Sequence, residues 1–450
     1  MSFDNPIFLL VLLASAAAVR LPSGLAGWSL LAICAVFYFF AGIFDFSLFV
    51  AIIIVNWVAA TLVRRSRLIF WLAIAGNLAI LVFFKYREML LPEAVAGDFR
   101  RIAIPLGISF YLFHILAYLA DLRMGRTRLV GLHKFSLFVG FFPHLIAGPI
   151  VRANQLVPQL ERLWHGQRVR RHLVFFGLAL CLLGLVKKIV FSNSLAPVVD
   201  DLFHTVPSDM LTAWAGAWLF GFQIYFDFSG YTDIALGSAM LLGLRLPTNF
   251  RTPYLAADPR EFWQRWHITL SYWIRDYLYI PLGGRREGGP AWQATVLIGV
   301  MVLAGLWHGA NWTFVAWGGL WGVYILIWRL LAPSISSVPV VAKWAVHIQV
   351  VMVLWVFFRA PDIGFALRYI GQMFTFELPV ASRQVVVAGV VGCAGLMGLH
   401  WLESLTQQAS AILRLRRMAH PVVIGIVAGL CLLLLLFPNY DINPFIYFRF

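Results

Sequence analysis

Charged residues are scarce in this sequence. Asp, Glu, Lys and Arg make up only 12% of the 450 residues, whereas they make up about 25% of an average soluble protein. Hydrophobic residues instead reach 61%, with 18 Trp and 38 Phe. A chain with so few polar side chains cannot cover the surface of a water-soluble fold. The composition therefore excludes an ordinary soluble domain.

Several catalytic and metal-binding motifs are also missing. The sequence contains no HExxH, Walker, GxSxG or CxxC motif, which argues against a zinc protease, a P-loop nucleotidase, a serine hydrolase and a thiol redox site. The four cysteines stand apart in apolar stretches and are interpreted as buried thiols. The scattered histidines show no metal-ligand spacing, so no metal site is predicted.

Apolar runs of membrane-spanning length dominate what is present. A bilayer core needs about 20 apolar residues in one helix. The runs lie at 5–19, 25–44, 46–63, 68–84, 102–119, 172–191, 211–226, 292–308, 312–330, 341–358, 384–402 and 421–437. Two more, 134–151 and 228–246, are broken by Gly or Pro and are predicted to be re-entrant or tilted. We predict an all-α, polytopic transmembrane bundle with about 10–12 spans plus re-entrant segments, forming a single domain over 1–450.

The excess of basic residues gives an orientation. A net charge of +15 would suggest a nucleic-acid partner in a soluble protein. Here the basic residues cluster in the turns between apolar runs, which is the positive-inside pattern, so the partner is the lipid bilayer and no nucleic acid is predicted. Clusters at 64–67, 123–134, 162–171 and 414–417 are expected on the cytoplasmic side. Both termini are then predicted to lie outside.

Two carboxylates lie at the edge of an apolar run. Asp227 and Asp233 could bind a cation, pair with arginine or cap a helix. Pairing with arginine is favoured over catalysis, because arginine is plentiful nearby.

The segment 261–276 combines aromatic and basic residues. On a continuous helix, Trp263, Trp266 and His267 would share one face, with Arg275 and Asp276 two turns later. Such a face suits an interfacial helix, and it equally suits the wall of a cavity that receives an anionic, aromatic cofactor. Both interpretations stay open at this point.

His308 ends a nearly uncharged run, 291–307. A histidine there must be neutral or have a partner, and it can accept a proton near neutral pH. Gly305 and Gly309 flank it, so another backbone or a substrate can approach closely. The spacing alone is equally consistent with a packing histidine and with a catalytic one.

These polar segments also carry a family resemblance. The chain resembles the membrane-bound O-acyltransferase superfamily, and within it the bacterial branch that O-acetylates polysaccharides such as alginate. The motif-bearing core covers about 100–330, while the first hundred residues match in hydropathy only. The matching stretches are 105–110, 142–149, 227–231, 249–254, 261–267, 275–284, 307–312 and the terminal 444–450.

The resemblance implies a function and a location. It implies a bundle with a central tunnel, in a bacterial cytoplasmic membrane, without a bound cofactor. A cytoplasmic acyl thioester, acetyl-CoA or an acyl carrier, would donate the acyl group, expected to be acetyl. The acceptor would be a hydroxyl of an extracytoplasmic polysaccharide, such as alginate or another exopolysaccharide. A periplasmic or membrane-anchored acetyltransferase partner would complete the transfer.

The resemblance also assigns roles to residues. It maps the family's two histidines to His308 and His267, the catalytic candidates. His308 would accept the proton of the acceptor hydroxyl, and the oxyanion would be stabilised by His267, Asn311, Trp307 or Trp312. The remaining candidates for the tunnel are Asp227, Arg265, Trp266, Arg275 and Asp276. Five arginines are candidates for binding a polyanionic acyl-CoA, with membrane topology as the other explanation for them: Arg251, Arg260, Arg265, Arg285 and Arg286.

Two competing functions remain at this stage. Broken apolar segments and intramembrane carboxylates would also suit a transporter or flippase. Inverted internal repeats would favour that class, and none is visible in the sequence. An acyltransferase of the same superfamily that acts on a lipid, a protein or teichoic acid is the other alternative, disfavoured only by the resemblance to the polysaccharide branch.

Overall fold

The fold is helical, as predicted. A computed structural model describes residues 6–90, 103–146, 148–166, 169–284, 288–375, 392–405 and 420–436, and in these ranges no strand occurs. The α-helices, in chain order, are α1 (Pro6–Ala18), α2 (Leu25–Phe39), α3 (Ile43–Leu62), α4 (Arg67–Leu90), α5 (Ile108–Arg123), α6 (Leu132–Gly140), α7 (Phe142–Leu145), α8 (Ala153–Trp164), α9 (Arg171–Leu185), α10 (Asn193–Leu202), α11 (Met210–Leu241), α12 (Pro259–Arg265), α13 (Ile268–Ile274), α14 (Gly289–His308), α15 (Trp312–Leu331), α16 (Val340–Arg359), α17 (Ile363–Gln372), α18 (392–405) and α19 (His420–Leu436). Short π-helical segments cover Val186–Ser192 and Arg275–Tyr279, and a 3-10 turn covers Pro253–Leu255.

The structure confirms the prediction of helices that can span a membrane. Within the described ranges, six helices are long and apolar enough to cross a bilayer. They are Ile43–Leu62, Arg67–Leu90, Arg171–Leu202, Gly289–His308, Trp312–Leu331 and Val340–Arg359. Two shorter apolar helices cover Ile7–Ala18 and Leu25–Phe39. The chain is thus a polytopic helical membrane protein, while the larger predicted span count and the tunnel stay predictions.

The two segments predicted to be broken behave differently. In 134–151, helix α6 ends at Gly140 and α7 begins at Phe142, so the break is confirmed, with Ala147 outside the described residues. In 228–246, α11 continues without interruption to Leu241, so the glycines of this run do not break the helix, and a re-entrant or tilted placement stays a prediction. Gly237 there allows close packing: a Cβ on it would lie 2.5 Å from the carbonyl oxygen of Gly177. The glycine serves helix packing instead of breaking the helix.

The chain divides into two compact units. Unit 1 comprises Met1–Leu185, Tyr231–Thr248 and Pro421–Cys431, and unit 2 comprises Val186–Gly230, Asn249–His420 and Leu432–Phe450. The prediction of a single domain over 1–450 stays a prediction.

Helices α14 and α15 of unit 2 pack closely through glycines. A Cβ on Gly305 would lie 2.1 Å from the carbonyl oxygen of Phe314, and a Cβ on Gly318 would lie 2.2 Å from that of Met301. Backbones can approach this closely only where side chains are absent. This contact holds the end of α14, and therefore His308, at a fixed position on α15.

We expect Gly305→Ala to destabilise the protein. The added methyl group would overpack the contact with α15, which costs about 1–3 kcal/mol. Gly299→Ala is the matched control, because it lies on the same helix and a Cβ there meets nothing within 4 Å. The thermal midpoint of the detergent-purified protein measures the effect. Equal midpoints for the two variants would show that the close contact does not exist.

Candidate active site

His308 is the last residue of α14 and is buried, with 3% of its surface exposed. Its ring is surrounded by aromatic side chains. The ring centroids of Trp307, Trp317 and Phe358 lie 4.9, 5.2 and 5.3 Å from that of His308. The predicted buried histidine therefore lies in an aromatic pocket of unit 2.

The turn after His308 is fixed by Asn311. Its Oδ1 accepts a hydrogen bond from the backbone N–H of Thr313 at 3.0 Å, which caps α15, and its Nδ2 donates to the carbonyl oxygen of Pro361 at 2.9 Å. Both ends of the carboxamide are therefore engaged in the fold. Asn311 thus positions the His308 turn, and the second N–H of its Nδ2 remains available as a donor.

His267 does not lie on the continuous helix predicted for it. Helix α12 ends at Arg265, and α13 begins at Ile268, so the predicted shared helical face with Trp263 and Trp266 is wrong. The backbone of His267 adopts the left-handed conformation at φ 41°, which is costly for a residue other than glycine and is often found at functional sites. Backbone hydrogen bonds to another segment override the helical pattern. The N–H of Ile268 donates to the carbonyl oxygen of Asn249, and the N–H of Arg251 donates to the carbonyl oxygen of Arg265, each at 2.9 Å.

Asn249 fixes the tautomer of His267. The Asn249 side-chain oxygen accepts hydrogen bonds from the backbone N–H of Thr269 at 3.1 Å and from its hydroxyl at 2.9 Å. The same oxygen lies 3.2 Å from Nδ1 of His267, so Nδ1 must carry the proton. Nε2 then holds a lone pair, and this buried nitrogen has no hydrogen-bond partner among the described residues. Burial lowers the pKa of His267 to about 3, so the ring is neutral near pH 7.

Trp307 joins the two histidines. Its ring centroid lies 6.0 Å from that of His267 and 4.9 Å from that of His308. Phe228 contacts His267 edge-on at 4.7 Å. The structure thus brings His267 together with Trp307 and His308, which follow it by about forty residues in the sequence.

The other candidates are dispersed around this group. Trp266 is fully buried among aromatic rings, whereas Trp312 is 62% exposed. The remaining polar candidates form local ion pairs, Arg265 with Glu261 at 2.5 Å and Arg275 with Asp276 at 2.7 Å. Arg285 and Arg286 lie outside the described residues. A tunnel lined by these side chains stays a prediction.

Asp227 forms the predicted ion pair, but with lysine instead of arginine. Nζ of Lys188 lies 2.6 Å from its Oδ1, and both side chains are at most 3% exposed. Lys188 lies in the π-helical segment Val186–Ser192. Such segments are often found at functional sites, because they change the direction of side chains along a helix.

A second buried charge cluster was missed by the sequence analysis. Glu403 contacts Nζ of Lys187 at 2.5 Å and accepts a hydrogen bond from the hydroxyl of Tyr225 at 2.6 Å. Nδ1 of His400 lies 3.7 Å from the same carboxylate, and Nε2 of His400 accepts from the N–H of Tyr254 at 3.2 Å. Two adjacent lysines inside the apolar run 172–191 were the available signal, because charges at that depth need a counter-charge.

Comparison with known proteins identifies the family. The family model of the membrane-bound O-acyltransferases matches residues 49–361, more than half of the chain. A probable alginate O-acetylase of Azotobacter vinelandii is 38% identical over 76% of this chain and 71% of that protein. A second one, of Pseudomonas putida, is 36% identical over 84% and 81%.

A relative with a different acceptor is also similar. The peptidoglycan O-acetyltransferase of Helicobacter pylori is 32% identical over 75% of this chain and 71% of that protein. The family match includes His267, Trp307 and His308, the residues that the fold brings together. The chain therefore belongs to the membrane-bound O-acyltransferase family, and it is an enzyme that transfers acyl groups to oxygen.

Proposed function

We propose that this protein is a membrane O-acetyltransferase that takes an acetyl group from a cytoplasmic thioester, acetyl-CoA or an acyl carrier, and passes it to hydroxyls of an extracytoplasmic polysaccharide. The names of the relatives support an acetyl group and a glycan acceptor. The buried group of His267, Trp307 and His308 is the observation that carries the proposal. The family assignment favours this function over a transporter.

His308 acts as the general base in this proposal. It accepts the proton of the acceptor hydroxyl while the oxygen attacks the thioester carbonyl, the carbon–sulfur bond breaks, and the proton passes on to the departing thiolate. His308 ends α14, and the negative end of a helix dipole stabilises the imidazolium that forms, typically by 0.3–1 kcal/mol and by up to about 2 kcal/mol. General-base assistance of this kind contributes about 10²- to 10⁴-fold in rate.

The tautomer of His267 revises its predicted role. Because Nδ1 carries the proton, Nε2 can accept a hydrogen bond but cannot donate one to an oxyanion. We assign His267 to holding and orienting the acceptor hydroxyl through Nε2. Asn311, through the second N–H of Nδ2, and the indole N–H groups of Trp307 and Trp312 stay the donor candidates for the oxyanion.

Surface polysaccharides test the proposal. Base-labile acetate is measured on polysaccharides from wild type, a deletion strain and the deletion strain complemented with the wild-type gene. Acetate that disappears in the deletion and returns on complementation supports the proposal, and the affected polymer identifies the acceptor. Unchanged acetate in the deletion would reject a polysaccharide acceptor and favour acylation of a lipid, a protein or teichoic acid.

Asn249→Ala is expected to lower turnover by roughly 10- to 100-fold, by analogy with the outer-shell partners that orient metal-bound histidines. The variant removes the acceptor that keeps the proton on Nδ1 of His267. Asn249→Asp keeps that acceptor and should retain more activity than Asn249→Ala. Initial rates at equal amounts of folded protein provide the measurement. Wild-type turnover in Asn249→Ala would disprove the tautomer argument.

A further inference from the structure

Unit 1 contains a basic pocket of about 380 Å³, and none of the residues assigned to the acyl-transfer step lines it. Its polar lining comes from three separate parts of the chain: the end of α8, the segment before α9 and the turn after α11. The residues that matter for its chemistry are Gln159, Arg162, Val169, Arg170, Gly243 and Arg245. No acidic residue belongs to the described lining, so the pocket is strongly positive.

The three arginines are available to a ligand. Arg162, Arg170 and Arg245 are exposed, and none of them forms an ion pair within the described parts of the chain. Neighbouring basic residues differ, since Arg128 and Lys134 both pair with Glu161, at 2.5 and 2.9 Å. The described residues therefore do not neutralise the charge of the pocket.

The base of the pocket is rigid. The carboxamide of Gln159 exchanges two hydrogen bonds of 2.9 Å with the backbone N–H and carbonyl of Arg245. Gly243 adopts φ +79°, and a Cβ on it would lie 3.1 Å from Val169, so the turn is packed against the segment before α9. These contacts fix the backbone of Arg245 and of the turn after α11 beside the segment before α9.

We propose that this pocket binds a phosphate ester through Arg162, Arg170 and Arg245. Guanidinium groups bind phosphate oxygens in bidentate geometry, and a volume of this size falls in the range of ligand sites, about 300–1,000 Å³. The basic segment 162–171 is predicted to face the cytoplasm. The phosphate then comes either from the coenzyme A portion of the acyl donor or from the headgroup of an anionic phospholipid. The first source rests on the proposed function, because it makes the pocket the docking site of the donor.

The experiment measures binding without turnover. The full-length protein is reconstituted in phosphatidylcholine nanodiscs, and the Kd of desulfo-coenzyme A is measured by calorimetry. In a second arm, the thermal midpoint is compared between phosphatidylcholine and phosphatidylglycerol nanodiscs. The pocket variant is Arg162→Gln/Arg245→Gln. The matched control is Arg65→Gln/Arg67→Gln, which removes the same charge from exposed residues outside the pocket.

The two arms distinguish the sources. Each lost charge-assisted hydrogen bond should weaken binding by about 10-fold or more. If the Kd of desulfo-coenzyme A rises about 100-fold in the pocket variant and not in the control variant, the ligand is the donor. If phosphatidylglycerol no longer raises the thermal midpoint of the pocket variant but still raises that of the control variant, the ligand is the lipid.

Two results would overturn the inference. One is that the pocket variant has the same Kd and the same thermal midpoints as wild type. The other is that the control variant loses as much affinity or as much stabilisation by phosphatidylglycerol as the pocket variant. Because binding is measured without acyl transfer, the pocket can be confirmed in a protein that acetylates no polysaccharide. A failed pocket likewise leaves the polysaccharide assay unaffected.

Discussion

Membranes that contain the His308→Ala protein are expected to transfer acyl groups about 10²- to 10⁴-fold more slowly than wild-type membranes, the contribution of a general base. The substitution removes the imidazole at the end of α14 and leaves the glycine contact with α15 in place. The measurement is the initial rate of base-labile acetate formation on polysaccharide, at equal protein levels in the membrane.

A second buried histidine provides the control. His347 also lies in unit 2 and is fully buried, with Nδ1 at 2.8 Å from the hydroxyl of Tyr324. His347→Ala removes a ring of the same size at a position without contact to Trp307, so it should lower stability and keep most of the rate per folded molecule. If His308→Ala remains within about threefold of wild type, far less than a general base contributes, His308 is a packing residue.

Lys188→Met is expected to destabilise the protein by about 3–5 kcal/mol, the typical effect of removing one member of a buried ion pair. The substitution keeps most of the side-chain volume and removes the ammonium group that neutralises Asp227. Without the ammonium group, the buried Asp227 carboxylate would lose this counter-charge, and at 2% exposure water cannot solvate it. The measurement is the thermal midpoint in detergent, together with the fraction of protein that remains monodisperse after extraction.

The double variant Lys188→Met/Asp227→Leu separates stability from function. Replacing both charges by apolar groups is often neutral, so its midpoint should return close to wild type. If Asp227 lines the acyl path as predicted, the stable double variant will still transfer acyl groups slowly. A midpoint for Lys188→Met equal to that of wild type would show that the pair contributes nothing to stability.

The helices of unit 2 that carry the site were predictable from local pattern. The apolar runs 292–308, 312–330 and 341–358 end within three residues of α14, α15 and α16. Hydropathy identifies such helices, because in a bilayer each helix satisfies its own backbone hydrogen bonds. His308 was found for the same reason, as a polar residue at the end of an uncharged run.

The local geometry of His267 was not predictable in this way. The residues 261–276 have helical spacing, yet the chain turns at His267 because the backbone pairs with Asn249 and Arg251, which belong to another segment. The contacts of Lys187 with Glu403 also depend on residues far apart in the sequence. Periodicity describes the neighbours of a residue along the chain, and these features depend on neighbours in space. Gly237 illustrates the same limit, since its helix-packing role requires knowledge of Gly177.

The adjacent lysines of the helix Arg171–Leu202 also bear on how this protein is made. A central lysine costs about 2.5–3.5 kcal/mol during insertion of a helix, and this helix carries two, Lys187 and Lys188. Their counter-charges, Asp227 and Glu403, are synthesised later. These counter-charges are therefore absent when the helix Arg171–Leu202 is synthesised, and its apolar residues must offset the cost of both lysines at that point. We expect the ion pair of Lys188 with Asp227 to form once α11 has been synthesised, and to remove part of this cost from the finished fold.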